Sequence, residues 1–469
     1  MNNRTFLPWV GVLLLLGGCT MAPRYTRPEA PIPADWPTGP AYRDRAAPAA
    51  PPGEALDDWR AFFVNERMQK VIELALANNR DLRVAALNIE RSRAQYRIQR
   101  AELFPAINAG AVGGEQRVPA SISATGKPMT VEQYSVNLGI TSWEIDFFGR
   151  LRSLKDSALE QYLATEQARR SAQVALMAQT AGAYLLLAAD REGLRLAQLT
   201  LDAQQSSCDL IAGRYKAGIS SELDLRQAQT RVEAARVDIA GFTGRVAEDV
   251  NALTLLAGVP VDAGLLPDEL AAVGALGDVT PGLPSDVLTC RPDILQSEHR
   301  LKAMNANIGA ARAAFFPRIA LTTSLGTTST ELSNLFHPGT TAWSYAGQVT
   351  LPIFDAGANR ANLNVANVDR DIALAQYEKT IQAAFREVAD ALTRQKTVGD
   401  QLTAQQALVE ATADTYRLAT ARYVREVDNY LAVLDAQRSL YSAQQGLIAI
   451  RLACLTSMVR LYAALGGGV

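Results

Sequence analysis

A set of landmarks occurs twice in this chain. Phe104-Pro105 recurs as Phe316-Pro317, 212 positions later. Gly149-Arg150-Leu151-Arg152 recurs in outline as Gly357-Ala358-Asn359-Arg360, Arg214-Tyr215 as Arg422-Tyr423, and Ala228-Gln229 as Ala436-Gln437, each 208 positions later. An offset of about 210 residues held over four landmarks means two copies of one large supersecondary unit. The second copy is shorter by four residues between its Phe-Pro and glycine marks. With 469 residues the chain could hold two or three domains, but the duplication argues for one elongated body.

Each copy opens with strands. Tyr134, Val136, Leu138 and Ile140 alternate with polar or small residues; in the second copy Ile319, Leu321, Thr323 and Leu325 do so, as do Trp343, Tyr345, Val349 and Leu351. Turn signals at Gly126-Lys127-Pro128 and His337-Pro338-Gly339 separate the strands, which predicts hairpins at about 105–147 and 317–354. Strands of about ten residues with one apolar face fit a transmembrane barrel. They fit a globular sandwich as well.

The remainder of each copy is helical. No proline occurs from Thr130 to Val259, and none after Pro352. Val174, Met177, Ala181, Tyr184 and Ala188 repeat at helical spacing, as do Ile381, Ala384, Phe385, Val388 and Leu392. Arg150 to Tyr215 predicts a single helix of roughly 100 Å at 1.5 Å per residue. It turns at Lys216-Ala217-Gly218, and a return helix carries Leu223, Leu225, Ala228 and Val232 back to Gly258-Val259-Pro260. Met68, Val71, Ile72, Ala75 and Leu76 mark a shorter amphipathic helix, and another runs from Asp81 to just before Phe104-Pro105. Four strands cannot close a barrel, and lipid tolerates no open strand edge. If the hairpins lie in lipid, several chains share one barrel, and three chains give twelve strands.

The N-terminus reads as an export signal. Arg4 is followed by the apolar run Val10 to Leu16, too short to span a bilayer, and then by Leu16-Gly17-Gly18-Cys19. That ending is similar to the bacterial lipobox, which implies a lipid on Cys19; an ordinary signal peptide is the other reading. Thr20, where an inner-membrane lipoprotein would carry Asp, points by the same resemblance to the outer membrane. From Ala22 to Pro52 the chain is rich in Pro and Ala, as in an extended tether. Cys208, Cys290 and Cys454 are odd in number and widely spaced, so they imply buried thiols and no disulfide framework.

Chemistry is largely excluded. Formal net charge is −2, which leaves no basic footprint for nucleic acid, and only His299 and His337 are available for histidine-based catalysis or metal binding. No phosphate-cradling loop and no zinc spacing occurs, and Asp57-Asp58 and Asp146 read as solvated or capping acids. The chain is expected to be no enzyme and to need no cofactor beyond the covalent lipid.

Several stretches together resemble one family: Cys19-Thr20 with Pro23-x-Tyr25-x-x-Pro28; Asn79-Arg80-Asp81-Leu82; Trp143 through Arg150; Arg291-Pro292-Asp293; Leu351-Pro352-Ile353-Phe354-Asp355-x-Gly357; and Leu461 through Gly468. They resemble the TolC-like outer-membrane factors, in particular the lipidated, OprM/NodT-like multidrug-efflux branch. The resemblance implies a mixed, mainly α fold: a homotrimeric twelve-stranded transmembrane β-barrel continuous with a long periplasmic α-helical barrel. It also implies a place in the bacterial outer membrane, in contact with its lipid, and a passive exit duct for drugs and other small toxic compounds. The partners it implies are a periplasmic adaptor and an inner-membrane pump. A duct for metal cations or secreted proteins is the alternative. The expected divisions are a signal peptide at 1–18, a lipidated tether at 19–56, a first structural repeat at 57–258, an equatorial linker at 259–292 and a second repeat at 293–469.

By that resemblance the far ends of the helical hairpins are the working sites. Arg214, Tyr215 and Gly218 would dock the adaptor at the first tip; at the second, Glu426 replaces the tip glycine. Leu431 and Asp435, four apart and so on one helix face, would narrow the periplasmic aperture, with Arg422 and Tyr423 holding it closed through bonds to neighbouring helices. Three Asp435 carboxylates about an axis would attract cations.

Overall fold

The computed structural model describes residues 20–33, 35–42, 59–274, 276–277, 291–425 and 427–467. Cys19, Cys290, Glu426, the signal peptide, and much of the tether and linker lie outside the described residues. In chain order the elements are α1 (Trp59–Phe62), α2 (Glu66–Asn78), α3 (Arg80–Ala101), β1 (Ile107–Val118), β2 (Met129–Glu144), α4 (Arg150–Lys216) and α5 (Glu222–Ala257). After a short helix α6 (Leu270–Val273) come α7 (Pro292–Ala313), β3 (Arg318–Ser329), β4 (Thr341–Thr350), α8 (Ala358–Val424) and α9 (Tyr430–Ala464). Helices α4 and α8 have 67 residues each; α5 has 36 and α9 has 35.

The chain divides into two compact units. One comprises Asn88–Glu166 and Gln296–Tyr377 with the first part of the N-terminal segment. It carries a four-stranded antiparallel sheet in the order β1-β2-β3-β4. Ile107 faces Ile140 and Val118 faces Met129 across the first hairpin; Arg318 faces Thr350 and Thr327 faces Thr341 across the second. The hairpins are joined through β2 and β3, whose register shifts between Ile140 and Trp143. Strands β1 and β4 are thus open edges. Trp343 and Tyr345 on one face of β4 are 77% and 69% exposed, so this sheet builds no core of its own.

An extended N-terminal segment is fastened to the same unit. The Glu298 side chain, 5% exposed, pairs with Arg27 and, at 3.1 Å, with Lys302, and accepts a hydrogen bond from the Tyr25 hydroxyl at 3.2 Å. Burial pushes this carboxyl up, but the bonds from Arg27 and Lys302 outweigh it and hold the carboxyl below its ordinary value. Asp146 accepts from the Arg152 amide at 2.9 Å and pairs with its guanidinium. At 7% exposure it is a capping acid and not a solvated one.

The second unit comprises Ala30–Leu87, Gln167–Leu295 and Glu378–Val469. Its core follows the helical spacing: Val174, Met177, Ala181, Tyr184 and Ala188 are all buried, as are Ile381, Ala384 and Val388. Phe62 and Phe63 are fully buried against Tyr462, and the Phe62 and Tyr462 rings stack at 4.4 Å. Trp36 stacks on Phe385 at 4.8 Å. Arg291 is buried, with bonds to Asp293 and Glu387 and to the Ala464 carbonyl. Cys208 is buried, whereas Cys454 is only half-buried, because it falls on a face of α9 that the chain itself does not cover.

Candidate functional site

The first hairpin tip follows from the spacing Arg214-Tyr215-x-x-Gly218. Gly218 sits at φ 73°, the left-handed conformation that ends a helix at little cost only for glycine. Its N–H donates to the Tyr215 carbonyl and that of Ile219 donates to the Arg214 carbonyl, both at 2.9 Å. This Schellman arrangement satisfies carbonyls that α4 would otherwise leave unpaired. Ser221 then starts α5 with a capping box: its Oγ accepts from the Asp224 amide, and the Asp224 carboxylate accepts from the Ser221 amide, both at 3.1 Å. The Ser221 hydroxyl bond is the main cause holding the Asp224 carboxyl below its ordinary value.

The second tip is stapled differently. The Val427 amide donates to the Arg422 carbonyl at 3.0 Å, and Asn429 caps α9 by accepting from the Ala432 amide. The Arg422 side chain reaches over the turn to Asp428, with Nε and Oδ2 2.5 Å apart. Its hydrogen bond holds the Asp428 carboxyl down.

The two tips meet. The Arg214 guanidinium lies 5.2 Å from the centre of the Tyr423 ring, which in turn packs against Tyr430 at 5.3 Å. Below them Cys208, Ile211, Ala228 and Val232 of the first hairpin form one apolar cluster with Tyr430, Val433 and Leu434 of the second. Burial pushes the Tyr430 hydroxyl up to about 12. Val433, Leu434 and Ala436 face inward, while Leu431 and Asp435 lie on the uncovered side of α9. Tyr215 is exposed there too.

The structure therefore gathers Arg214, Arg422, Tyr423, Leu431 and Asp435 at one end of the helical hairpins. Within the chain Arg422 bonds across its own turn to Asp428, and the Tyr423 ring packs tilted against that of Tyr430. Asp435 pairs with Arg438 at 3.1 Å, which softens the charge it presents. Sequence reading missed Asp428 and Arg438 and gave Tyr430 no role. The three-residue spacing from Asp435 to Arg438 could have found the second, and the helical spacing of Tyr430, Val433 and Leu434 the third; nothing periodic marks Asp428.

Two stretches, residues 71–259 and 283–467, match the model of the outer membrane efflux protein family. The antibiotic efflux pump outer membrane protein ArpC of Pseudomonas putida is 51% identical over 467 residues, which span 99% of this chain and 96% of that one. The toluene efflux pump outer membrane protein TtgC of Pseudomonas putida matches with the same identity and coverage. Among solved structures, the open state of the MtrE outer membrane channel of Neisseria gonorrhoeae superposes with a TM-score of 0.86 at 36% identity, covering 96% of this chain and 98% of that one. The chain belongs to the outer membrane efflux protein family: it is an outer-membrane channel component of an efflux system and not an enzyme.

Proposed function

We propose that three copies of this chain form the exit duct of a tripartite pump, in which a periplasmic adaptor and an inner-membrane pump deliver drugs, organic solvents and other small toxic compounds. The observation that carries this reading is the open four-stranded sheet. A membrane leaves no unpaired strand edge, so β1 of one copy must meet β4 of the next, and three copies give twelve strands. Helix α9 supports the same conclusion. One of its 18-residue windows has a mean hydropathy of 1.6, yet only 28% of it is buried within the chain. A groove of about 900 Å³, lined in part by Ala178, Gly182, Ala391, Leu452 and Ala453, awaits cover by another helix. The names of the relatives, antibiotic and toluene pumps, favour small organic compounds as cargo over metal cations or proteins. A lipid on Cys19 would anchor the duct.

In this reading the helical hairpins extend into the periplasm, Arg214, Tyr215, Gly218 and Glu426 meet the adaptor, and Leu431 and Asp435 line the aperture. Opening swings the second tip away from the first, which separates Arg214 from Tyr423. Conductance of the purified protein in planar bilayers tests this. Asp435→Ala should lower cation preference and raise conductance; unchanged values would remove Asp435 from the aperture. Susceptibility of a deletion strain to a hydrophobic drug and to toluene, with and without the plasmid-borne gene, tests the cargo.

A further inference from the structure

The crossing of α4 and α5 is built around Gly193 and Phe242. A Cβ at Gly193 would stand 2.3 Å from the Phe242 ring, so the ring of α5 packs where only a glycine of α4 leaves it room. One turn along α5, the Arg245 guanidinium lies 3.9 Å from the centre of that ring and 3.5 Å from Asp190 Oδ1 on α4. One further turn along stands Asp249, 9% exposed, with an Oδ2 that has no hydrogen-bond partner. Its carboxyl is turned against that of Asp190. One cation thus serves two acids in contact, and two carboxylates that share a site do not both ionise readily.

The surroundings do not relieve the conflict. On α5, Glu248 adds repulsion and Arg245 opposes it. On α4, Glu192 is engaged by Arg451 of α9 at 3.5 Å. From α9, the Tyr441 hydroxyl donates to Asp238 at 2.9 Å. Burial first, and Asp190 second, push the Asp249 carboxyl up to about 6.

The second hairpin supplies an internal control. Positions 208 residues further on hold Val398 in place of Asp190 and Ser457 in place of Asp249. Both are buried, and the Ser457 hydroxyl donates to the Cys454 carbonyl at 2.7 Å. Neutral packing fills the same place in a helical hairpin of nearly the same length. The carboxyl pair is an addition peculiar to the first hairpin.

We propose that Asp249, buried against Asp190, forms a proton-dependent clasp between the two helices of the first hairpin, closed while Asp249 holds its proton and loosened when it ionises. A carboxyl whose folded value is raised stabilises the closed form below its ordinary value near 3.8 and loses that contribution as pH rises through about 6. Acid therefore tightens the first hairpin and leaves the second unchanged. A partner engaging the first tip would meet a stiffer rod at pH 5 than at pH 7.5.

Amide hydrogen exchange on the full-length protein in detergent, corrected for intrinsic rates, reads this directly. In the wild type, protection of residues 238–253 should fall by up to about tenfold from pH 5 to pH 7.5, while residues 446–461 hold steady. Asp249→Asn should abolish the dependence and keep residues 238–253 protected at pH 7.5. Asp190→Asn should do the same, and serves if the first variant fails to fold. Three results would overturn the clasp: equal wild-type protection at both pH values, a parallel change in residues 446–461, or a pH dependence that survives in a folded variant of either kind.

Discussion

Asn79 shows how one side chain can tie three elements. Its Oδ1 accepts from the Leu82 amide at 3.0 Å, which caps α3, while its Nδ2 donates to the Leu256 carbonyl at the end of α5, at 2.9 Å. Its own amide closes α2 on the Ala75 carbonyl. At 8% exposure it has no water to replace these partners. Asn79→Ala should therefore cost about 1–3 kcal/mol, seen as a lower midpoint of thermal unfolding in detergent. Asn78→Ala is the control: its side-chain amide donates to the Leu74 carbonyl within its own helix, and the change should stay below about 0.5 kcal/mol. Beside Asn78, Gly258 ends α5 at φ 72°, where a Cβ would lie 2.4 Å from the Asn78 carbonyl oxygen. Asp428 works at the surface instead. Because Arg422 holds its carboxyl below the ordinary value, the pair contributes above about pH 4 and is lost as pH falls through the lowered value. Exchange of the Val427 amide, corrected for intrinsic rate, should quicken below pH 4 in the wild type and show no such step in Asp428→Asn. Both side chains are partly solvated, so salt should weaken the effect.

At the scale of elements, the long helices were the most legible part of the sequence. Proline-free stretches and a 3.6-residue apolar period run through α4 and α8, and Gly218 and Gly258 stand where α4 and α5 stop. Strand alternation located both hairpins, because side chains on a pleated sheet repeat every two residues. What the sequence concealed is register between elements. Arg214 and Tyr423 are 209 positions apart, and Asp190 and Asp249 are brought together only by how α4 and α5 slide against each other. No local period encodes such a slide. Arg422 and Asp428 were hidden for the opposite reason: they are six apart across an irregular turn, where no repeat applies. The capping box at Ser221 is local, and its consequence is local too. Ser221→Ala should cost about 1 kcal/mol at the start of α5, visible as faster exchange of the Asp224 and Leu225 amides with little change near Gly258.

The whole molecule is decided by the two faces of its sheet. On β4 the odd positions Trp343, Tyr345 and Val349 are apolar and exposed, while Ser344 and Gln348 alternate with them. Ser344 is bonded across the ladder to Ser324 at 2.7 Å, a polar pair that has no place against hydrocarbon. In the barrel proposed above, the apolar face would meet lipid and the polar face would line the aqueous interior. This assignment separates two substitutions that a soluble sandwich would not separate in the same direction. Tyr345→Arg sets a cation on the lipid face near the middle of a strand of 10 residues, at a cost of roughly 2–4 kcal/mol per copy. In the proposed barrel three copies would multiply that cost, so detergent-resistant trimers recovered from outer membranes should fall sharply. Ser344→Arg, one residue away, points its charge into the aqueous interior; trimer yield should hold while single-channel conductance drops. Equal loss of trimer from both variants would mean that the sheet does not separate lipid from water, and the shared barrel would have to be abandoned.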